Sequence, residues 1–258
     1  MDGKELKAFW RQGGPSYGAW ITLADPAAAA IVCNAGYDWV LIDAEHHPFN
    51  PETLRNTIAL IRARNVVPLV RVADNDAALI KQVLDFGAEG IMIPLLHSAE
   101  EARRAVAACR YPPLGIRGWN PRDASNYFKD VDYYRHTINE RMIVMLQVEH
   151  IDAVNDLDRI LAIPGADSIL IGPADLSFSL GHPLEMGHPE VQLAIDTVIK
   201  KCNAAGTPVG IAVGSTVEEF SDWIRRGINF IPLGSDAGWL SATSASFLRQ
   251  MRASTGGR

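Results

Sequence analysis

Cysteine is scarce in this chain of 258 residues: Cys33, Cys109 and Cys202 are odd in number and lie far apart. A disulfide scaffold needs density and even pairing, and a zinc knuckle needs thiols a few residues from one another, so both are excluded. The three read as reduced core thiols. Long apolar runs are missing too. No stretch approaches the roughly 18 apolar residues of a membrane span, and Met1 to Gly14 is charged and polar, without the apolar segment of a secretory signal. A cytoplasmic protein with no membrane partner is expected. Basic runs are also lacking: 24 Lys and Arg are scattered among 30 Asp and Glu, for a net charge of −6. That balance argues against nucleic acid or anionic lipid as a partner and leaves a small molecule. There is no repeat signature, low-complexity tract or interdomain linker, so a single domain is expected.

What is present is a rhythm. The hydrophobic fraction of 48% is concentrated in short β-rich runs: Tyr17–Leu23, Trp39–Asp43, Val67–Val72, Gly90–Leu96, Met142–Glu149, Ser168–Asp175, Val209–Val213 and Phe230–Ser235. Between most of them lie helix-period segments: Pro51–Arg64, Asp76–Phe86, Ala99–Cys109, Ala153–Ala162, Pro189–Ala205 and Val217–Arg226. Asn50 before Pro51-Glu52, Ser98 followed by Glu101, and Gly87, Gly206 and Gly227 punctuate helix ends. Eight β/α units of this length favour a (β/α)8 TIM barrel, with an open doubly wound sheet as the alternative. Two segments break the pattern. Residues 111–134, rich in Pro, Gly and aromatics, read as a substrate-covering loop at the barrel mouth, and Gly181–Pro189 as a lid or an extended turn. The tail from Ser254 to Arg258 is expected to fray.

In such a barrel the chemistry sits at the C-terminal ends of the strands, and that is where the polar residues fall. The second strand ends Asp43-Ala-Glu45-His46-His47, the third in Arg71, the fifth in Gln147 and Glu149. The sixth ends Gly172-Pro173-Ala174-Asp175, and the last two in Gly214-Ser215 and Gly234-Ser235-Asp236. Glu149 and Asp175, two carboxylates at adjacent buried strand ends, repel each other unless a divalent cation or a proton intervenes.

These stretches resemble the class II, metal-dependent pyruvate aldolases of the 4-hydroxy-2-oxoheptanedioate and 2-dehydro-3-deoxyglucarate aldolase family. The matching segments are Gly36-Tyr-Asp-Trp-Val-Leu-Ile-Asp-Ala-Glu-His46, Val70-Arg71, Lys81-Gln-Val-Leu-Asp85, Tyr111-Pro-Pro-Leu-Gly-Ile-Arg-Gly118, Gln147-Val-Glu149 and Ile171-Gly-Pro-Ala-Asp-Leu-Ser177. The resemblance runs from about Tyr17 to about Ala242. It implies that Glu149 and Asp175 bind Mg2+, Mn2+ or Co2+, with Gln147 beside the oxygens of a 2-oxo acid. Arg71 would stabilise the enolate, and backbone N–H groups near Ala174 and Asp175 would hold the carboxylate. His46, oriented by Asp85, would transfer the proton. The implied reaction is reversible cleavage of a 4-hydroxy-2-oxo acid to pyruvate, or a related 2-oxo acid, and an aldehyde. A homohexamer is implied as well, with the C-terminal segment 237–252 exchanged between subunits through Trp239-Leu240 and Phe247-Leu248.

Each residue also has a plainer reading. Glu149 and Asp175 could cap helices or meet Arg71, and Arg71 could be a counter-ion of Asp43 or Glu45. Those two acids could hold water around an ion or belong to a structural pair. His46 and His47 are neighbours that only the resemblance separates, His47 then being a rim residue. Asp85 lies in a helical run where a solvated carboxylate is ordinary. The Gly172-Pro173-Ala174 turn could be an ordinary connection, and Gly234-Ser235-Asp236 is a weak phosphate signal. His97, His136, His150, His182 and His188 read as surface side chains with no spacing for a second metal. Trp20 either walls the pocket or packs in the core. Bulky Trp119 and small Ala212 depart from the family pattern and would alter aldehyde preference. The rival activities are another enolate-forming enzyme on this scaffold, citrate-synthase-like or a thioester lyase, and a non-catalytic 2-oxo-acid-binding barrel.

Overall fold

Period-2 burial on one side and helix contact on the other leave each apolar run one stable solution, a strand buried on both faces. The computed structural model describes residues 1–255. In it eight parallel strands close in chain order: β1 (Ser16–Ile21), β2 (Trp39–Asp43), β3 (Val67–Arg71), β4 (Gly90–Ile93), β5 (Ile143–Val148), β6 (Ser168–Ile171), β7 (Val209–Ile211) and β8 (Phe230–Ser235). Pairing of Ser16 with Phe230 and Tyr17 with Ile231 joins β1 to β8 and excludes the open sheet. The fold is a (β/α)8 barrel.

Around it run α1 (Gly3–Arg11), α2 (Pro26–Cys33), α3 (Pro51–Arg62), α4 (Ala77–Asp85), α5 (Ala99–Cys109), α6 (Val131–Arg141), α7 (Ile151–Asn155), α8 (Leu157–Leu161), α9 (Pro173–Ser179), α10 (Pro189–Ala205), α11 (Val217–Arg225) and α12 (Asp236–Thr255). Asn50 caps α3 by accepting from the Thr53 N–H at 2.9 Å, and Ser98 accepts from that of Glu101. The Glu101 carboxylate reaches past the cap to the His97 N–H, at 2.7 Å. Gly206 ends α10 in the left-handed region, which a residue without Cβ enters at no steric cost. The stretch expected as one helix from Ala153 to Ala162 is two, α7 and α8, meeting at Asp156. Ser254 and Thr255 close α12 instead of fraying; residues 256–258 of the expected tail lie outside the described residues.

Side chains alternate across a strand, so one parity of each faces the barrel axis. Trp39 and Leu41 of β2, Val67 and Leu69 of β3, Met92 of β4, Ile143 and Met145 of β5, Leu170 and Phe230 form that interior. The opposite parity packs under the helices in a second, larger cluster. One end of the barrel is plugged. Leu6 and Trp10 of α1 join the interior cluster, Trp10 donates to Ser16 Oγ at 2.7 Å, and Phe230 stacks on Trp39 at 4.1 Å. The same inward parity, carried one or two residues further along each strand, reaches Asp43, Arg71, Gln147, Glu149, Gly172 and Ala212 at the open end.

Residues 111–134 do not lie at that end. They follow α5, and a crossover helix returns the chain to the N-terminal ends of the strands, so the segment packs on the outside of the helical layer. Arg55 of α3 donates to Asp123 (2.7 Å) and Tyr127, Arg62 donates to the Asp123 and Ala124 carbonyls, and the Ala124 N–H to the Asp85 carbonyl. The segment cannot cover the mouth of its own barrel. Gly181–Pro189 does lie on the mouth side, since it connects α9 to α10. It is a tethered turn: Ser177 accepts from the Leu184 N–H and Gln192 donates to the Met186 carbonyl.

Candidate active site

Asp43 and Arg71 end adjacent strands in direct register. The buried Asp43 carboxylate accepts from Arg71 Nε at 2.9 Å and Nη2 at 2.8 Å, a two-pronged pair matched to the planar guanidinium. Burial pushes the Asp43 carboxyl up, but the hydrogen bonds and charge of Arg71, helped by the His46 N–H, outweigh it and hold the group below the ordinary carboxylate value. Arg71 Nη1 lies 3.1 Å from Glu45 Oε2 and donates to Gln147 Oε1 at 3.4 Å, while its face rests 4.6 Å from the Trp20 ring. Trp20 therefore walls the site and steadies its cation. Arg71 is at once the counter-ion of Asp43 and Glu45 and a guanidinium aimed into the mouth.

Gln147 turns its Nε2 to Glu149 Oε2 at 2.5 Å, and the Leu95 N–H donates to Glu149 Oε1 at 2.8 Å. Glu149 is buried, and burial first, then the charges of Asp175 and Glu45, push its carboxyl up to about 7 against the pull of the Leu95 N–H and Arg71. Glu45 is raised too, chiefly by burial, with Asp43 and Asp175 adding to it. Its Oε2 is buried and, despite the nearby Arg71, accepts no hydrogen bond because the N–H directions miss it. Asp175 stands not at a strand end but exposed in the first turn of α9, because β6 stops at Ile171 and Pro173 starts the helix. The three acids do not form a closed cage: among the described residues, the clusters of three or more ligating atoms within 4.8 Å lie elsewhere.

Gly172 faces this group. A Cβ there would come within 2.8 Å of Glu149 Cβ and 3.1 Å of Gln147 Nε2. Gly172→Ala is thus expected to keep the fold but displace the Glu149 carboxylate, lowering kcat/KM about tenfold or more by misplacing a reacting group; unchanged kinetics with unchanged circular dichroism would dismiss this role. Pro173 is buried at the start of α9, Ala174 is half-buried, and no side chain caps that helix. Ala212 packs against the barrel interior one residue past β7.

Asp85 is placed away from His46. It ends α4, at the closed end of the barrel, and pairs with the fully buried Arg117 at 2.7 Å. Arg117 in turn lies over Tyr111 and donates to the Tyr134 hydroxyl. Trp119 packs against Tyr111, with ring centroids 4.9 Å apart, so within one chain it also lies outside the mouth. The imidazole hydrogen-bonded to a carboxylate is His47, whose Nδ1 is 2.8 Å from Asp43 Oδ2. His46 projects into the mouth, its side chain 62% exposed and Nε2 3.4 Å from Glu45 Oε2.

Two features left no expectation in the sequence. The Leu95 N–H that fixes Glu149 is a backbone donor, invisible to residue patterns. Four of the histidines read as isolated converge in two groups, His97 with His150 and Asp152, and His182 with His188 and Glu190; His136 stays alone on α6.

A closed parallel barrel with Arg71, Gln147 and the carboxylates of Asp43, Glu45 and Glu149 gathered at the C-terminal side of its strands is the architecture of a barrel enzyme. Residues 16–242 match the HpcH/HpaI aldolase/citrate lyase family. The chain is 38% identical over 250 residues to the hydroxypyruvate/pyruvate aldolase of Roseovarius nubinhibens, with 96% of each covered. It is 40% identical over 228 residues to the 2-keto-3-deoxy-L-rhamnonate aldolase of Salmonella gallinarum, covering 88% of this chain and 85% of that one. A solved aldolase/citrate lyase family protein from Burkholderia cenocepacia superposes with a TM-score of 0.90 at 34% identity, covering 96% of this chain and 99% of that one. The chain belongs to the HpcH/HpaI aldolase/citrate lyase family, and it is an enzyme, a carbon–carbon lyase of the aldolase type. Among the described residues no helix is long and apolar enough to cross a membrane.

Proposed function

We propose that the enzyme reversibly cleaves a 4-hydroxy-2-oxo acid to pyruvate, or a close 2-oxo acid, and an aldehyde, and that Glu149 and Asp175 hold a divalent cation for this reaction. The observation that carries the reading is the raised Glu149: a carboxyl pushed up first by burial and then by the neighbouring Asp175 and Glu45 is in an electrostatic conflict that a cation relieves. The donors fit a hard ion. They are carboxylate oxygens, with Glu45 Oε2 buried nearby and accepting no hydrogen bond, and the open arrangement leaves positions for substrate, as suits Mg2+, Mn2+ or Co2+. Such an ion, when bound, supplies Lewis acidity toward the keto and carboxylate oxygens of the 2-oxo acid.

The chain's own groups do the rest. Arg71 neutralises the negative charge that develops on the keto oxygen as the C3–C4 bond breaks, and Asp43, Gln147 and Trp20 keep it aimed. Gln147 sits beside the same oxygen, and the first N–H groups of α9, at Ala174 and Asp175, receive the carboxylate. His46 takes the proton from the 4-hydroxyl and returns one to C3. Asp43 is the acid that orients Arg71 and His47, and Ala212 leaves room where the aldehyde departs. Exchange of pyruvate methyl protons in D2O, followed by NMR, tests the assignment. Exchange should require a divalent ion, fall by about 10² or more in His46→Ala, and survive in His47→Ala. Exchange that ignores both ion and His46 would rule the mechanism out.

The enzyme works as a homo-oligomer, a hexamer, with residues 237–252 docked on a neighbouring subunit. Support comes from α12, whose Leu240, Phe247, Leu248 and Met251 all face solvent in the single chain, an apolar surface that association would cover. Phe247→Asp with Leu248→Asp is expected to shift sedimentation to smaller species; an unchanged profile would argue against α12 as the contact.

A further inference from the structure

The two histidine groups differ in what they can bind. His182 and His188 stack with ring centroids 3.4 Å apart and only 19° between planes, so their in-plane lone pairs run side by side, and His182 Nε2 is already 3.0 Å from Glu190 in an ordinary hydrogen bond. His97 and His150 are tilted 52° at 4.3 Å, which lets two ring nitrogens aim at one point. The Asp152 carboxylate closes that point: its Oδ2 lies 3.3 Å from His150 Nδ1 and 3.8 Å from His97 Nδ1. Both separations are long for a charge-assisted hydrogen bond, at about 2.7–2.9 Å. The first matches the edge of a tetrahedron of ligands at bonds of about 2.0–2.1 Å, which is about 3.3 Å, and the second exceeds it by about half an ångström, which a small turn of the exposed His97 ring closes.

We propose that His97, His150 and Asp152 form a second metal site, selective for a borderline transition ion such as Zn2+ or Ni2+. Two imidazole nitrogens and one carboxylate oxygen suit these ions and discriminate against Mg2+, which prefers oxygen throughout. Exposure at the barrel rim leaves the fourth position to water. His150 Nδ1 accepts only a long 3.2 Å bond from the Asp152 N–H, which an ion replaces at small cost. The placement gives the site a consequence. His97 is two residues beyond Leu95, whose N–H holds Glu149, and His150 directly follows Glu149 in the chain. An ion here therefore staples the β4–α5 loop to the β5–α7 turn, the two segments that flank the principal carboxylate, without touching substrate.

Zn2+ binding is measured by equilibrium dialysis of the full chain in excess Mg2+, which occupies the oxygen site. The wild type should retain a tight Zn2+ that is weakened at least tenfold in His97→Ala and in Asp152→Asn and is unchanged in His182→Ala. Both substituted side chains are exposed, and unchanged circular dichroism shows that each variant has kept its fold. Retention of that Zn2+ in His97→Ala, or its loss in His182→Ala instead, overturns the site. Glu149→Gln should leave it intact, so failure of the aldolase metal reading and failure of this one are told apart.

Discussion

Without added metal, Glu149→Gln is expected to be more stable than the wild type at pH 8, and with saturating Mg2+ the order should reverse. The folded wild type holds the Glu149 proton up to about pH 7, whereas its ordinary value is 4.5. Between those limits the native state binds more protons than the unfolded chain, so stability falls as pH rises. Above pH 7 the full penalty is present, on the order of 3 kcal/mol. Glutamine keeps an oxygen for the Leu95 N–H and carries no charge to bury, and the Gln147 amide turns over so that its oxygen faces the new NH2 group. The metal-free variant should therefore gain several degrees in Tm at pH 8 relative to the wild type, at roughly 2–4 °C per kcal/mol, and nothing near pH 4.5. A bound cation repays the wild type alone. The same substitution should cost on the order of 10³ in kcat, since a Lewis acid at the reacting oxygens is worth several kcal/mol. Parallel Tm–pH curves for the two metal-free proteins would contradict the shift and, with it, the electrostatic case for a cation.

The barrel was legible because strand parity writes itself into composition: Trp39, Leu41 and Asp43 alternate with Val40 and Ile42, and the same beat carries Arg71, Gln147 and Glu149 to the mouth. What a linear pattern cannot hold is direction. Residues 111–134 look like a loop over an active site by composition, yet they follow a helix, and everything after a crossover helix starts from the plugged end. Within one chain Asp85 does not meet His46 for the same reason, as it closes α4 at that end and pairs with Arg117. Asp175 shifts from strand to helix because Pro173, tolerated in a first helical turn, stops β6 early. The plug α1 did leave a trace: Asp2 and Glu5 make a reciprocal cap, and Leu6 and Trp10, four residues apart, share a face. His97 and His150 were separable only in sequence. They follow consecutive strands, so closure of the sheet brings them together.

Arg71→Lys is the substitution where charge is conserved and function should still collapse. Lysine offers a point charge on a flexible stem, without the planar fork that engages both oxygens of Asp43 while a third nitrogen reaches Gln147 and Glu45. Asp43 is about 2% exposed, so an imperfect partner leaves a carboxylate buried in want of hydrogen bonds. Breaking such a pair outright costs about 3–5 kcal/mol, an upper bound for lysine. The sign of the pH effect follows from the lowered Asp43. Its contribution to stability is present above the ordinary carboxylate value and is lost as pH falls through the folded-state value. Weakening the pair raises that folded-state value, so the variant should begin to unfold at higher pH on acidification than the wild type, as followed by circular dichroism. At neutral pH, where both remain folded, kcat should drop about 10²–10³ because the cation no longer points at the developing oxyanion, while the KM for the 2-oxo acid changes less. Equal acid transitions together with near-normal kcat would mean that any cation suffices at this position, and that the two-pronged geometry of Arg71 is incidental to the chemistry.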